Sequence, residues 1–176
     1  MAVIASGLLA GCAPTATKPA PPSAPPKVPV ATPSKMPAPD AKAITDYHNK
    51  VRADVGVGPL RWSPALAGYA QEWADRLAQT TCKMTHRTEH RYGENLFQGT
   101  AGYYGAVDAA KAWESEKKDW RGGVLTEANW HPAGHYIQMV WRDTAAVGCG
   151  QAVCDKMLIV ACNYDPPGNV IGRRPY

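Results

Sequence analysis

The sequence predicts an α+β domain in which helices come first and an antiparallel hairpin comes last. Apolar residues recur at helical spacing in three segments of the chain, and short β-type runs with intervening turn residues follow them. Proline is concentrated upstream: ten of the 16 prolines lie between Pro14 and Pro39. The folded domain is therefore expected to be shorter than the chain of 176 residues.

The N-terminal residues indicate export. Residues 2–11 form an uncharged, mostly apolar run that is too short to span a bilayer as a helix and resembles the hydrophobic region of a signal peptide. This run leads into L-A-G-C at residues 9–12, which resembles a bacterial lipobox. No Lys or Arg precedes the apolar run. We expect a lipoprotein-type signal peptide over 1–11 and a lipid anchor on Cys12. The anchor would hold the protein at a cell envelope, on the outer membrane facing the periplasm in a Gram-negative host, and otherwise the protein would be secreted.

Composition divides the rest of the chain into a linker and a domain. Residues 12–39 are rich in Pro, Ala, Thr and Lys, cannot bury apolar area, and are expected to be a disordered, extended linker. Residues 40–176 are long enough to bury a core without help from a metal. The net charge of +4 is modest, and no basic run alternates with aromatic residues, which excludes nucleic acid as an expected partner.

Three helices are predicted in order. Asp40 caps the first helix and Gly56 ends it. The second is the best marked, with Ser63 as N-cap and Pro64 at its first position. The third runs over 106–120 and closes at two glycines.

Three strands are predicted over 135–141, 147–151 and 157–163. With a turn centred on residues 155–156, Cys149 lies directly opposite Cys162, which brings their Cβ atoms near disulfide range. By elimination, Cys82 would pair with Cys154. Four cysteines in an exported domain favour disulfides over free buried thiols.

One carboxylate stands out in the third helix. Glu116 falls in the middle of an apolar stripe, with Trp113 and Trp120 about one turn away on each side. Because burial of an unpaired carboxylate is costly, Glu116 is expected to be partnered, protonated or at the edge of a cleft. The alternative is that it lies at the margin of the stripe and reaches water. A second carboxylate, Glu94, lies in the turn-like segment Y-G-E-N-L, which taken alone is a weak signal.

Histidine spacing raises the question of a metal. His86 and His90 are four residues apart, as are His131 and His135, a spacing that zinc sites use on helices. A proline and a glycine inside the second pair argue against a helix there. A closed structural zinc site is therefore disfavoured, whereas an open site with one histidine from each region remains. Nucleophile signatures are absent, which leaves carboxylates and imidazoles as the polar groups available for chemistry.

Several motifs together resemble the CAP superfamily, which includes cysteine-rich secretory proteins, insect venom antigens and plant pathogenesis-related type-one proteins. The resemblance covers about residues 43–176. It is carried, in the order of the chain, by Y-G-E-N-L at 92–96, W-E-S-E at 113–116, G-H-Y-I-Q-M-V-W at 134–141, V-G-C-G at 147–150 and C-N-Y-D-P-P-G-N at 162–169. Plant members carry a further disulfide just before the His-Tyr motif, whereas residues 126–134 contain no cysteine and His131 lies there instead.

The resemblance implies a three-layer α-β-α sandwich with a central antiparallel sheet and the same two disulfides. It also implies a cleft that gathers His86, Glu94, Glu116 and His135. The histidine pair would bind Zn²⁺ or another divalent cation, and Glu94 and Glu116 are the candidate catalytic carboxylates.

Three functions are compatible with these residues and motifs. The first is a ligand-binding module of the cell envelope, for a lipid, a sterol or an envelope component. The second is a metal-assisted, peptidase-like hydrolase that uses the same cleft. The third is a non-catalytic structural protein of the envelope.

Overall fold

The computed structural model describes residues 32–176. The predicted signal peptide, Cys12 and most of the predicted linker lie outside the described residues. Within these residues, four α-helices, four strands and two short 3-10 helices follow one another: α1 (Ala38–Ala53), β1 (Arg61–Trp62), α2 (Pro64–Gln79), β2 (Gly93–Thr100), α3 (Ala106–Ser115), a 3-10 helix (Glu116–Asp119), a second 3-10 helix (His131–Ala133), α4 (Gly134–Met139), β3 (Ala146–Cys154) and β4 (Met157–Asp165).

The strands form one sheet in the order β1-β3-β4-β2. Strand β4 pairs antiparallel with both β2 and β3, and the two-residue β1 adds a parallel edge. Helix α2 packs on one face, with Ala70, Ala74 and Leu77 buried against Ile159 and Ala161 of β4. Helices α1, α3 and α4 bury a larger core on the opposite face. The predicted α-β-α sandwich is confirmed.

The second helix and the hairpin agree with the prediction from sequence. Ser63 caps α2, with its Oγ accepting a hydrogen bond from the Leu66 N–H at 3.3 Å. Cys149 lies opposite Cys162 in the β3–β4 ladder, and these residues form a disulfide. The second disulfide joins Cys82 to Cys154, as predicted.

The predicted strand over 135–141 is wrong. This segment continues the 3-10 helix at His131–Ala133 into α4, so His135 lies in the first turn of a helix and does not begin a strand. Residues 136–141 are all buried, so the run lacks the alternation that separates a strand from a fully buried helix. Pro132 is tolerated because its missing N–H lies in the first helical turn.

Three boundaries also differ from the predictions. The first helix begins at Ala38 and not after an Asp40 cap, since Pro39 fits the first turn. The third α-helix ends at Ser115 and continues only as a 3-10 helix. The turn-like Y-G-E-N-L segment enters β2 at Gly93.

The folded part of the chain also reaches back beyond residue 40. Met36 is buried, and the Ser34 hydroxyl donates to the Cys149 carbonyl at 2.8 Å. The segment 32–39, which falls in the predicted linker, therefore makes contacts with the folded domain. No helix within residues 32–176 combines the length and the apolar character that crossing a membrane would require.

A buried arginine holds the C-terminal end of α4 in place. Arg52 is 1% exposed, and its guanidinium donates to the carbonyls of Met139 and Trp141 at 2.9 Å each. It also donates to the carbonyls of Gly58 and Thr144. Four carbonyl acceptors thus replace the usual carboxylate partner, and they include groups that the end of a helix leaves unpaired.

Candidate functional site

Glu116 holds the first turn of α4. Its Oε1 lies 2.6 Å from His135 Nδ1, and its Oε2 accepts the backbone N–H groups of His135 at 2.9 Å and Tyr136 at 3.3 Å. The His135 ring stacks on Trp113, with ring centroids 6.3 Å apart and planes 22° apart. The carboxylate that looked anomalous in an apolar stripe is therefore partnered at the point where α3 ends.

Glu94 holds the second histidine from β2. Its Oε1 lies 2.8 Å from His86 Nδ1 and accepts the Arg87 N–H at 3.1 Å. The loop that carries His86 is fixed by Trp73, whose Nε1 donates to the Thr85 carbonyl at 2.8 Å. The other carboxylate oxygen, Glu94 Oε2, is buried and has no partner among the described residues.

The two pairs share one chemical arrangement. A carboxylate only accepts hydrogen bonds, so Nδ1 of His86 and of His135 is the donor in each pair. In a neutral imidazole the lone pair then lies on Nε2, which makes no hydrogen bond to any residue that the structure describes. This is the tautomer that binds metals, with the carboxylate orienting the ring from behind.

Three of the four predicted site residues line one cavity of about 220 Å³: His86, Glu94 and His135. Glu116 lies behind His135 and is not part of the lining. His131 lines the same cavity, and its ring packs against Trp130. A neighbouring cavity of about 330 Å³ shares His86, Glu94, Trp130 and Asn169 with the first and includes His90.

The side chains around this cavity do not form a closed metal site. Within residues 32–176, no group of three or more His, Cys, Asp or Glu side chains is placed to hold one metal ion. His86 and His135 are the two imidazoles that line the same cavity and make a carboxylate contact through Nδ1, and a cation between them would have to take its other ligands from water or from a bound molecule. His131 does not complete a third position.

Comparisons with known proteins agree with this architecture. The profile of the CAP, or cysteine-rich secretory protein, family matches residues 45–164. The chain belongs to the CAP family. It is 46% identical over 132 residues to pathogenesis-related protein 1C of Nicotiana tabacum, which covers 74% of this chain and 77% of the tobacco protein.

Solved structures share the fold of this CAP domain. The crystal structure of NaASP2 with Zn²⁺ superposes with a TM-score of 0.71 at 24% identity, covering 82% of this chain and 89% of NaASP2. Venom allergen-like protein 4 of Schistosoma mansoni gives a TM-score of 0.60 at 28% identity, covering 80% of this chain and 95% of that chain. The name of the family and the two disulfides agree with an exported protein.

A buried hydrogen-bond network holds the backbone of the CAP site, and no sequence pattern predicted it. The amide nitrogen of Asn95 donates to the His135 carbonyl at 3.1 Å and to the Tyr164 hydroxyl at 3.2 Å. Tyr164 lies 2.8 Å from His48 Nε2, and His48 Nδ1 lies 2.7 Å from the Ile44 carbonyl. Because Ile44 can only accept, His48 Nδ1 carries the proton and Nε2 accepts from Tyr164.

Burial keeps both rings of this network neutral. It lowers the pKa of His48 to about 4 and raises the pKa of Tyr164 well above its ordinary value. In this series of hydrogen bonds, which begins at the Ile44 carbonyl and ends at the His135 carbonyl, each bond therefore has an assigned donor. The network fixes the backbone of α4 at the residue whose side chain faces the cavity.

Proposed function

We propose that this CAP domain is an exported ligand-binding module whose cleft takes up a divalent cation, zinc foremost, on Nε2 of His86 and His135. The observation that carries the proposal is the matched pair of His–carboxylate contacts, which leaves both Nε2 atoms with a lone pair on residues that line one cavity. When bound, the cation would act as a Lewis acid toward an oxygen or nitrogen of the ligand. Within this proposal, Glu94 and Glu116 are positioning residues.

The geometry supports binding more than hydrolysis. A general base needs a carboxylate oxygen that can take up a proton from water. Both oxygens of Glu116 already accept hydrogen bonds, three in total. Only Oε2 of Glu94 is free of partners among the described residues. The hydrolase alternative thus depends on Glu94 alone. The ligand of the proposed binding module is a lipid, a sterol or an envelope component.

Calorimetric titration of zinc into the full-length protein tests the metal site. After removal of metal with EDTA, we expect one zinc per chain for the wild type and no measurable heat for His86→Ala combined with His135→Ala. Glu116→Gln should weaken zinc binding by about 10- to 100-fold, because it loosens the tautomer and the orientation of His135. His90→Ala is the matched control and should bind as the wild type does, since His90 does not line the cavity of His135. Absence of heat and of histidine NMR shifts in the wild type would refute the proposal.

We also propose that Cys12 is lipidated and that the proline-rich segment after it tethers the CAP domain to the cell envelope. The support is the L-A-G-C step at 9–12 and the Pro, Ala, Thr and Lys composition that follows it. Mass spectrometry of the native N-terminus should find acylated Cys12, and Cys12→Ser should move the protein from the membrane fraction to the soluble fraction. An intact Met1 on the native protein contradicts this proposal.

A further inference from the structure

Away from the cleft, two loops join the C-terminal segment and form one surface with it. The Leu125 N–H donates to the Arg173 carbonyl at 2.9 Å, and the Arg142 N–H donates to the Pro175 carbonyl at 2.7 Å. Both loops are therefore held against the same stretch of chain. We call the result the arginine surface, and it consists of residues 121–126, 142–144 and 170–175.

Three large apolar side chains of the arginine surface are exposed. Val124 is 42% exposed, Val170 is 39% exposed and Ile171 is 44% exposed. Only seven large apolar side chains are exposed within residues 32–176, and three of them lie here. Leu125, in contrast, is fully buried in the core, so the loop that carries Val124 is anchored. Because apolar side chains that cluster in contact with water mark interaction sites, this concentration indicates a partner.

The same surface concentrates positive charge. The chain has 19 basic and 15 acidic residues, and two of the lysines precede residue 32, so the described residues carry a net charge of +2. The arginine surface holds four basic residues and one acidic residue, a net charge of +3, which leaves −1 for the other described residues. Its four arginines are all exposed: Arg121, Arg142, Arg173 and Arg174.

The carboxylates in and around the arginine surface do not cancel this charge. Within it, Asp143 is the acidic residue, and its Oδ2 lies 2.6 Å from Arg173 Nη2. The other three guanidinium groups form no ion pair with any residue that the structure describes. Two lysines and three carboxylates lie near it in the chain: Lys117, Lys118, Asp119, Glu127 and Asp165.

An anionic lipid bilayer complements both features of this surface. Guanidinium groups form strong paired hydrogen bonds to phosphate oxygens, and the negative potential of anionic lipids attracts basic side chains. Exposed apolar side chains enter the boundary between headgroups and acyl chains, where their burial adds to the electrostatic attraction. An acidic polysaccharide would pair with the arginines but would leave the three apolar side chains in water. We propose that the arginine surface docks the domain on an anionic lipid bilayer.

This docking goes beyond the cleft and beyond the proposed lipid anchor. An acyl chain on Cys12 would keep the domain near a membrane, whereas the arginine surface determines which side of the domain contacts the lipid. Stable attachment to a membrane commonly combines two such signals. The arginine surface shares no residue with the proposed metal site or with the anchor, so each proposal stands or fails by its own experiment.

Co-sedimentation of the full-length protein with lipid vesicles tests the docking. All samples carry Cys12→Ser, so that no acyl chain contributes. Equimolar phosphatidylglycerol and phosphatidylcholine form the anionic vesicles, and phosphatidylcholine alone forms the neutral ones. One double variant, Val170→Ser with Ile171→Ser, removes apolar contact, and the other, Arg121→Gln with Arg174→Gln, removes two positive charges.

Each double variant has a matched control at exposed residues outside the arginine surface. The apolar control is Met84→Ser with Val153→Ser, and the charge control is Arg61→Gln with Arg76→Gln. Any binding that other parts of the full-length chain contribute is common to the variants and to their controls. Thermal unfolding establishes that each variant is folded.

We expect the anionic vesicles to bind the protein, and binding to weaken as NaCl rises from about 0.05 M to about 0.5 M. Neutral vesicles should bind far less. The arginine double variant should bind anionic vesicles about 30-fold more weakly, and the apolar double variant about tenfold more weakly. Both controls should bind within about twofold of the unsubstituted protein, apart from the general loss of two charges in the arginine control.

Three results would overturn the inference. The first is absence of binding to anionic vesicles, and the second is equal binding to neutral ones. The third is that the folded variants of the arginine surface bind as their matched controls do. Soluble polygalacturonate tests the other partner: if it binds the apolar double variant as tightly as the unsubstituted protein and displaces the vesicles, the arginine surface recognises an acidic polysaccharide and the lipid proposal is wrong.

Discussion

His48 shows how much a single buried residue contributes to the site. It is fully buried, neutral, and connected through Tyr164 and Asn95 to the backbone of His135. Its function as a hydrogen-bond relay depends on partners more than 40 residues away, which no local pattern reveals.

The lowered pKa of His48 makes stability depend on pH. Between about pH 6.5 and pH 4 the unfolded chain takes up a proton on His48 that the folded protein does not, so stability falls as pH falls through that window. The full loss, reached below pH 4, amounts to about 3 kcal/mol, since each pKa unit corresponds to about 1.4 kcal/mol. Urea unfolding of the wild type at pH 7 and pH 4.5 should reveal most of this loss.

A variant without the titrating group isolates the contribution of His48. His48→Gln should be less stable at pH 7 but should lose less stability on acidification than the wild type does. His90→Gln, at an exposed histidine, should keep the pH dependence of the wild type. Equal pH dependence in His48→Gln and the wild type would show that His48 is not the group responsible.

At the scale of elements, two glycines decide how closely α2 approaches the sheet. A Cβ on Gly148 would lie 2.2 Å from the Ala67 nitrogen, and one on Gly150 would lie 2.4 Å from the Gln71 Cα. Both clashes involve backbone atoms of α2, which cannot move aside as a flexible side chain can. The V-G-C-G motif thus permits the helix to pack directly on β3.

Gly148→Ala and Gly150→Ala should each lower the free energy of unfolding by about 3 kcal/mol, at the upper end of the cost of overpacking. Gly58→Ala is the control, because a Cβ there meets no atom within 4 Å and its φ is not positive. Guanidinium unfolding of the three variants measures the difference. If Gly148→Ala matches Gly58→Ala in stability, α2 does not pack as closely as described.

The elements that the sequence predicted are those with local signals. Ser63 and Pro64 mark the start of α2 by capping and by a fixed φ, and the hairpin register follows from the position of its turn. The prediction of a strand over 135–141 was wrong because a segment buried on all sides shows no hydrophobic periodicity that would distinguish a strand from a helix. Strand β2 was missed because its first residues, Gly93 and Glu94, are typical of turns, and its pairing with β4 is a long-range contact.

The site is a property of the whole molecule. Its residues come from the loop after α2, from β2, from the end of α3 and from α4: His86, Glu94, Glu116 and His135. The resemblance to the CAP family identified these residues. Only the structure shows that each carboxylate pairs with one histidine and accepts one or two backbone N–H groups. The sandwich must therefore be complete for the cleft to exist.

The two disulfides stabilise the folded domain in different ways. Cys82–Cys154 closes a sequence separation of 72 residues and anchors the chain just before the loop of His86, whereas Cys149–Cys162 closes a separation of 13 within the hairpin. By loop-closure entropy, removal of the first should cost about 4 kcal/mol and removal of the second about 3 kcal/mol. The larger contrast concerns the cleft, because only the first disulfide restrains a loop that carries a proposed metal ligand.

Paired alanine substitutions measure both effects. Cys82→Ala with Cys154→Ala should lower stability and weaken zinc binding, because the freed loop must be ordered again each time His86 binds the ion. Cys149→Ala with Cys162→Ala should lower stability in a similar range and leave zinc affinity near the wild-type value, since the ladder on both sides holds that register. Denaturant unfolding and zinc calorimetry on the same samples separate the two quantities. Equal loss of zinc affinity in both double variants would show that the loop of His86 is held by its contacts to Glu94 and Trp73, and not by the disulfide.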